Sequence, residues 1–344
     1  MDRLDAYLDA HPDLSFVFTG GKGGVGKTIA AAGLALHFAR GGKRTLLASL
    51  NPVHSLSSVF DQEFAGGLPH TIKVDGGGGT RLEAIEVETK DVVEKYRESI
   101  GRRVREFLKW SDIPVDAKPF IEIAVTNPAF EESAMFDKMT DIMLSEGKEY
   151  DVIVFDTAAV ANAIRLIGLS RIYGLWLGRM IESRKEALSL RVQLAFRREK
   201  IMEEVRKDPL MADLMDMNDR FHQVKKVLLD PKRTAFFFVT LPLALPISVV
   251  ERFIESVRSY DVPVGGVIVN QVLPREVVEA HPDETYLANK YEEQLGYLKR
   301  IKTNLGPLVR AQVPLYESEV RGTESVERVS RDLFSYEPDF WRDL

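Results

Sequence analysis

The chain of 344 residues contains no cysteine. Without a thiolate it can form no disulfide, carry no cysteine-bound iron–sulfur cluster and build no zinc site on sulfur ligands. The six histidines are scattered along the chain, and no two lie at a spacing typical of metal ligands: His11, His37, His54, His70, His222 and His281. We therefore expect no metal site that is built from protein ligands alone.

The chain also lacks the charge and hydropathy patterns of nucleic-acid and membrane proteins. Its formal net charge is −6, so it has no general electrostatic footprint for nucleic acid or for an anionic membrane. No apolar run approaches the roughly 20 residues that span a bilayer. The first eight residues carry acids and show no signal-peptide pattern. We expect a cytoplasmic protein with no nucleic-acid partner and no direct membrane insertion.

What the chain does contain is a series of short apolar runs bounded by turn residues. Six of them predict buried strands of a parallel sheet: Phe16–Thr19, Arg44–Leu50, Arg81–Val87, Val152–Phe155, Ala235–Thr240 and Val264–Asn270. Helical patterns separate several of these runs, which favours an α/β fold with a doubly wound, mostly parallel sheet.

Two strand-poor, charged segments interrupt this pattern, and their interleaved charges predict exposed amphipathic helices. We expect an inserted helical subdomain on an α/β core, followed by a short tail. The predicted divisions are 13–90 plus 145–163 plus 230–330 for the core, 91–144 plus 164–229 for the helical subdomain, and 331–344 for the C-terminal tail.

Methionine is concentrated in the predicted helical subdomain, where eight of the nine methionines lie. Two groups have helical spacing: Met135, Met139 and Met143, then Met211 and Met215. Methionine is unbranched and polarizable, so a methionine-rich face can repack around different apolar partners. The two interpretations are a packed helical core and a groove for a hydrophobic client helix, and the sequence leaves both open.

Residues 20–28 read Gly-Gly-Lys-Gly-Gly-Val-Gly-Lys-Thr and stand between a strand-like run and an alanine-rich helical segment. This is the strand–loop–helix context of a P-loop. Small residues let backbone N–H groups close around phosphate oxygens, and the following helix presents its positive end to the same anion. Lys27 then contacts the β- and γ-phosphates, while Thr28 ligates Mg²⁺. The predicted binding residues are Gly21, Gly23, Gly24, Val25, Gly26, Lys27, Thr28 and Ile29.

Lys22 lies inside this loop, where an ordinary P-loop has no fixed requirement. The loop resembles the deviant Walker A sequence of the ATPases related to MinD, ParA, the nitrogenase iron protein and ArsA. In that group the extra lysine reaches across a dimer interface to the nucleotide of the partner subunit. The resemblance therefore implies a homodimer with ATP near its two-fold axis. The alternative is that Lys22 is a solvated loop lysine.

Four further segments distinguish families within this class. They are Ser-Leu-Asn-Pro-Val-His-Ser-Leu at 49–56, Tyr-Asp-Val-Ile-Val-Phe-Asp-Thr-Ala at 150–158, Ile-Val-Asn-Gln-Val-Leu-Pro at 268–274, and Val-Pro-Leu-Tyr-Glu-Ser-Glu-Val-Arg-Gly at 313–322. In this order they resemble the ArsA/GET family, which includes arsenite-pump ATPases and cytosolic ATPases that deliver tail-anchored membrane proteins. The chain length suits the single-domain, dimeric targeting ATPase better than the tandem pump subunit.

The resemblance implies a role for several residues outside the loop. Asp156 is expected to be the Walker B acid, which orders Mg²⁺ through water and joins Thr28 as a metal-binding residue. Asn270 is expected to pair with adenine, since an amide offers both a donor and an acceptor. The base pocket is then lined by Pro314 and Leu315. The predicted catalytic group consists of Lys22, Lys27, Asn51 and Asp156.

The chain departs from the family pattern at both switch segments. The aspartate that positions or activates the attacking water is replaced by Asn51, whose amide can orient a water but cannot readily accept its proton. Residues 156–163 read Asp-Thr-Ala-Ala-Val-Ala-Asn-Ala and lack the proline, glycine and histidine of the family's second switch. We expect ATP hydrolysis to be slow or absent. The missing cysteines also remove the thiolates through which arsenite activates pump ATPases and the zinc that joins many targeting ATPases.

Three functional hypotheses follow. The leading one is a dimeric, ATP-dependent chaperone or targeting factor that offers a helical groove to hydrophobic clients. The second is a nucleotide-gated binding switch with little or no hydrolysis. The third is a MinD/ParA-like positioning ATPase, which needs a basic membrane tail or a basic DNA-binding face. Residues 335–344 are acidic and interrupted by Pro338, so they suit neither.

Overall fold

The computed structural model describes residues 3–51, 55–64, 66–74, 81–110, 128–157 and 209–338, together with residues 118, 122, 178, 179, 182, 186 and 341. The described residues fall into two compact units. The first lies within Met1–Glu88, Glu146–Ala161 and Val227–Leu344, and the second within Thr89–Ser145 and Asn162–Lys226.

The strands are β1 Phe16–Gly20, β2 Thr45–Ser49, β3 His70–Thr71, β4 Leu82–Glu86, β5 Val152–Asp156, β6 Thr234–Thr240, β7 Val264–Val272 and β8 Val309–Pro314. The helices in the described part of the chain are α1 Leu4–Ala10, α2 Lys27–Arg40, α3 Ser55–Phe60, α4 Thr89–Trp110, α5 Pro128–Leu144, α6 Pro209–Leu228, α7 Ala244–Arg258, α8 Arg275–Glu279, α9 Thr285–Leu305 and α10 Thr323–Ser335.

The eight strands form one sheet in the order β3-β4-β2-β5-β1-β6-β7-β8. Only β3 pairs antiparallel; the other neighbouring strands are parallel. The predicted doubly wound α/β class is confirmed, and all six predicted strands are present to within two residues. Strands β3 and β8 were not predicted, because β3 has only two residues and Arg310 and Gln312 interrupt the apolar pattern of β8.

Three phenylalanines align the middle of the sheet. Phe18 on β1 stacks on Phe155 of β5 and on Phe236 of β6, with ring centroids 4.8 Å and 4.5 Å apart. All three side chains are buried. Each pair is also in backbone register, so the stacked rings and the parallel ladder specify the same alignment. As a result β1, β5 and β6 end at the same edge of the sheet.

Helix α2 is buried on most of its surface because the sheet covers one side and α10 covers another. The contact with α10 is close: a methyl group added at Gly33 would lie 2.7 Å from Leu333 Cδ1. Leu4 of α1 is also fully buried. The first unit therefore extends beyond the expected core of 13–90, 145–163 and 230–330 at both ends, and residue 331 lies inside a packed helix rather than at the start of a tail.

The second unit contains α4, α5 and most of α6, with ion pairs between helices. Arg220 on α6 pairs with Asp141 on α5, and Arg103 on α4 lies 3.9 Å from Asp213 on α6. No helix in the described residues combines the length and apolar character needed to cross a bilayer.

The methionines of the second unit differ in burial. Met139 and Met143 on α5 are buried, whereas Met215 on α6 is 47% exposed. The side chain of Met211 lies outside the described residues. On α5, Met139 and Met143 therefore serve in packing while Met135 is partly buried, and α6 carries an exposed methionine.

Candidate nucleotide site

The predicted phosphate loop lies at the carboxyl edge of the sheet. Strand β1 ends at Gly20, α2 begins at Lys27, and the loop connects them. The register pairs Asp156 of β5 with Thr19 of β1 on one side and with Ser49 of β2 on the other. Ligands of open α/β sheets bind at this edge, because the strand ends and helix N-termini meet there.

Two glycines give the loop its shape. Gly26 precedes α2 with a φ of +90°, and a methyl group there would lie 2.1 Å from Nδ2 of Asn270. A methyl group at Gly21 would lie 2.4 Å from the carbonyl oxygen of Val239 on β6. The loop thus passes so close to the ends of β6 and β7 that a side chain has no room. Gly23 and Gly24 are exposed, as is Lys22, while Val25 is buried.

Lys27 folds back onto the loop that precedes it. Its side chain is 8% exposed, and its Nζ donates a hydrogen bond to the carbonyl oxygen of Lys22 at 3.2 Å. Burial lowers the pKa of the Lys27 ammonium, and the nearby Asp156 carboxylate opposes that shift. Because α2 starts at this residue, a cation and the positive end of a helix dipole occupy the same place. Both favour an anion.

Asp156 is the most enclosed acid of the site and has no exposed surface. Its Oδ2 accepts hydrogen bonds from Thr28 Oγ1 at 2.7 Å and from Ser55 Oγ at 3.3 Å. Its Oδ1 is also buried, and has no hydrogen-bond partner among the described residues. Burial raises the pKa of Asp156, and the hydrogen bond from Thr28, the Lys27 charge and the serine hydroxyls act in the opposite direction.

These groups fit a hydrated Mg²⁺ ion. Magnesium prefers hard oxygen ligands and keeps several of its waters. Thr28 offers a hydroxyl oxygen for direct contact, and Oδ1 of Asp156, which lacks a partner in the part of the chain that the structure describes, is an acceptor for a metal-bound water. A buried carboxylate oxygen that lacks a partner is costly, so a site for a cation or water beside it is physically reasonable.

Asn51 follows β2 at the same edge. Its backbone N–H donates to Ser49 Oγ at 3.3 Å, and its side chain is partly buried. Ser49 and Asp156 are register partners on β2 and β5, so Asn51 follows the strand position beside the proposed metal-binding acid. Residues 52–54 and the altered second switch at 158–163 lie outside the described residues.

The predicted base-binding residues are divided between two strand ends. Asn270 on β7 is buried, and its Nδ2 donates to the carbonyl oxygen of Val25 at 2.9 Å. One N–H of the amide therefore holds the phosphate loop, and the pairing of Asn270 with adenine stays a prediction. The amide nitrogen carries two N–H groups, so one donor and the amide oxygen remain to pair with an adenine edge.

Pro314 ends β8 and is buried, with Val272 of β7 as its register partner. The N–H of Leu315 donates to the carbonyl oxygen of Val272 at 2.8 Å, and the Leu315 side chain is 45% exposed. Leu315 therefore presents a short apolar surface beside the end of β7, and Pro314 packs beneath the surface. That surface is available to a planar base.

Sequence reasoning missed three side chains that support the site: Ser49, Ser55 and Glu86. Both serines stand in the segment that carries the family resemblance, but nothing in their spacing marks them as partners of Asp156. Glu86 gave a clearer signal, since an acid at the end of an otherwise apolar strand requires a buried partner.

Comparisons with known proteins identify the family. A profile described as anion-transporting ATPase matches residues 14–335. ATPase GET3B of Arabidopsis thaliana is 29% identical over 329 residues, covering 90% of this chain and 76% of that protein. ATPase ASNA1 homolog 2 of Paramecium tetraurelia is 26% identical over 322 residues, covering 92% of this chain and 93% of that protein. ATPase ARSA1 of Chlamydomonas reinhardtii is 26% identical over 332 residues, covering 91% of this chain and 42% of that protein. The family resemblance predicted from the motifs is confirmed: this chain belongs to the ArsA/GET family of anion-transporting ATPases.

Proposed function

We propose that this ATPase binds Mg²⁺·ATP at the edge of the sheet formed by β1, β2 and β5. The observation that carries the proposal is the buried Oδ1 of Asp156, which has no hydrogen-bond partner within the described ranges, beside the Thr28 hydroxyl and the Lys27 ammonium. The loop N–H groups and Lys27 would bind the phosphates, and Thr28 would offer a hydroxyl lone pair to the metal while its proton stays in the hydrogen bond to Asp156 Oδ2. Bound Mg²⁺ supplies positive charge that offsets the phosphate charge during transfer.

Slow hydrolysis follows from the residue at position 51. Asn51 follows β2 at the same edge of the sheet as Asp156, but its amide has no basic carboxylate. The protein orients the attacking water through Asn51 and does not remove its proton efficiently. Turnover measured with purified protein, beside a Lys27→Ala variant as the inactive reference, tests whether the residual hydrolysis belongs to this site.

We further propose that two copies of the chain assemble around the nucleotide, with Lys22 of each copy facing the other. The Lys22 side chain is exposed, while its carbonyl is fixed by Lys27. Light scattering with a non-hydrolysable ATP analogue should give a dimer for the wild type and a monomer for Lys22→Ala. Lys73→Ala, which removes an exposed lysine outside the loop, is the control. Dimers of equal stability in all three proteins would refute this role for Lys22.

The proposed activity is nucleotide-dependent handling of hydrophobic client helices in the cytoplasm. GET3- and ASNA1-type proteins are among the relatives, and α6 carries the half-exposed Met215. A photo-cross-linker at Met215 should capture a tail-anchored segment, and the yield should change with ATP. The buried position Met139 is the matched control. A cross-linking yield that does not change with ATP, or no cross-link at Met215, would exclude α6 as the client surface.

A second candidate function is a nucleotide-gated binding switch, and Asn51 favours it. Such a protein changes partners when ATP binds and does not depend on hydrolysis for release. The two proposals differ in one measurement: a targeting ATPase releases its client at the rate of turnover, whereas a switch releases it when ATP is diluted away. With no cysteine in the chain, neither version uses thiolate-bound arsenite as an activator.

A further inference from the structure

Glu86, at the end of β4, is a buried acid with no part in the nucleotide-binding roles described above. Its side chain is 3% exposed. Oε1 accepts hydrogen bonds from the backbone N–H groups of Leu56 at 2.6 Å and Ser57 at 3.1 Å, and Oε2 accepts one from Ser57 Oγ at 2.5 Å. All three bonds come from the first turn of α3, about 30 residues away along the chain.

The same turn of α3 carries a group of the nucleotide site. Ser55 begins the helix, and its hydroxyl donates to Oδ2 of Asp156. Thr28 donates to that same oxygen. With Oδ2 held by both hydroxyls, the side chain of Asp156 keeps the orientation in which Oδ1 is the oxygen without a partner among the described residues. Hydrogen bonds thus connect Glu86 to Asp156 through α3.

Apolar packing also holds α3 on the core. Leu56, Val59 and Phe60 are all buried in the main hydrophobic cluster. Apolar contacts are not directional, whereas hydrogen bonds to a carboxylate fix the donors in distance and angle. The packing therefore holds the helix on the protein, and Glu86 determines how its first turn is rotated and where Ser55 points.

We propose that Glu86 is a positioning residue for the magnesium site: it fixes the first turn of α3, so that Ser55 holds Asp156 with Oδ1 directed to the metal-bound water. This inference rests on the proposed binding of Mg²⁺·ATP. It predicts that loss of Glu86 weakens the effect of Mg²⁺ on ATP binding and leaves metal-free ATP binding nearly unchanged, because Lys27 and the loop N–H groups follow β1, and β2 and β5 separate that strand from β4.

The test measures the affinity for a fluorescent ATP analogue with and without saturating Mg²⁺. The magnesium enhancement is the ratio of the two affinities. Glu86→Ala should reduce this enhancement about tenfold, the effect of losing charge-assisted hydrogen bonds. Glu86→Gln should restore most of it, since its amide oxygen accepts both N–H groups and its amide nitrogen donates to Ser57 Oγ. Glu83→Ala is the control, because Glu83 lies on the same strand and accepts a hydrogen bond from Tyr150.

Ser55→Ala keeps the test valid if Glu86→Ala does not fold. This variant removes one hydroxyl and should lower the enhancement about threefold, the effect of one hydrogen bond, with an unchanged melting temperature. The inference is overturned if both variants keep the wild-type enhancement. It is also overturned if Glu86→Ala loses affinity equally with and without Mg²⁺, or if Glu86→Gln is as impaired as Glu86→Ala. A wild type that binds no ATP, or binds it without regard to Mg²⁺, refutes the proposed function itself.

Discussion

The glycines of the phosphate loop should differ sharply in their tolerance of alanine. A methyl group added at Gly23 would have no heavy atom within 4 Å, and the residue needs no left-handed backbone. Gly24 has equal space but a φ of +79°. Gly26 combines a φ of +90° with a methyl position 2.1 Å from Asn270 Nδ2. Alanine variants at these three positions therefore separate the effect of backbone strain from that of steric exclusion.

The expected magnitudes follow from these two terms. Left-handed backbone costs a non-glycine residue about 1–2 kcal/mol, so Gly24→Ala should weaken ATP binding about 5- to 30-fold. Gly26→Ala adds the loss of the Asn270–Val25 hydrogen bond, about 1–3 kcal/mol when a buried donor is left unsatisfied. Its total of about 2–5 kcal/mol predicts a loss of at least about 30-fold. Gly23→Ala should change the affinity less than about threefold, since this position has neither a left-handed backbone nor a close neighbour.

Titration calorimetry with ATP and Mg²⁺ gives the three affinities, and thermal unfolding shows whether each variant is folded. We expect the left-handed backbone at Gly24 to lower the affinity for ATP rather than the stability of the fold, because Gly24 is exposed and the loop can leave its binding conformation without opening the core. Equal affinities for all three variants, or a larger loss for Gly24→Ala than for Gly26→Ala, would refute this geometry of the loop.

Three further predictions concern turnover, acid stability and packing. Asn51→Asp should raise turnover by about 100-fold, the low end of the contribution of a general base, and unchanged turnover would show that position 51 is not the block. His37 stacks on Phe334 with ring centroids 3.7 Å apart, and burial lowers the pKa of its imidazole. The neutral ring therefore contributes its full stability above the ordinary pKa of 6.5, and this contribution is lost as the pH falls through the lowered pKa. His37→Gln should therefore flatten the melting temperature between pH 8 and 5, and a profile that keeps the wild-type slope argues against this residue. Gly33→Ala should destabilise the fold by about 1–3 kcal/mol in denaturant titrations, because the added methyl group meets Leu333, and a stability equal to wild type would show that α10 is free to move away.

The sheet could be predicted from the sequence because its central strands are buried on both faces. Continuous apolar runs such as Val152–Phe155 mark strands of this kind without reference to the rest of the fold. Strand β8 failed this criterion, since Arg310 and Gln312 alternate with its apolar residues and the strand pairs on only one side. A two-residue strand such as β3 has no periodicity to detect.

The phosphate loop could also be predicted from the sequence, because its function depends on residues that are adjacent in the chain. The roles of Asn270 and Ser55 depend instead on which strand ends come together. Asn270 is 245 residues from its partner Val25, and Ser55 is 101 residues from Asp156. Position along the chain says nothing about such pairs, so the use of the Asn270 donor within the protein could be found only in the folded structure.

The central claim is that Lys27, Thr28 and Asp156 form a site for Mg²⁺·ATP. Calorimetric titration of the wild-type protein with ATP, in the presence and absence of Mg²⁺ and beside Lys27→Ala, tests it most directly. The structure predicts one ATP per chain, tighter binding with Mg²⁺, and a large loss of affinity in Lys27→Ala. Binding that is absent in the wild type, or equal in Lys27→Ala, would contradict the claim.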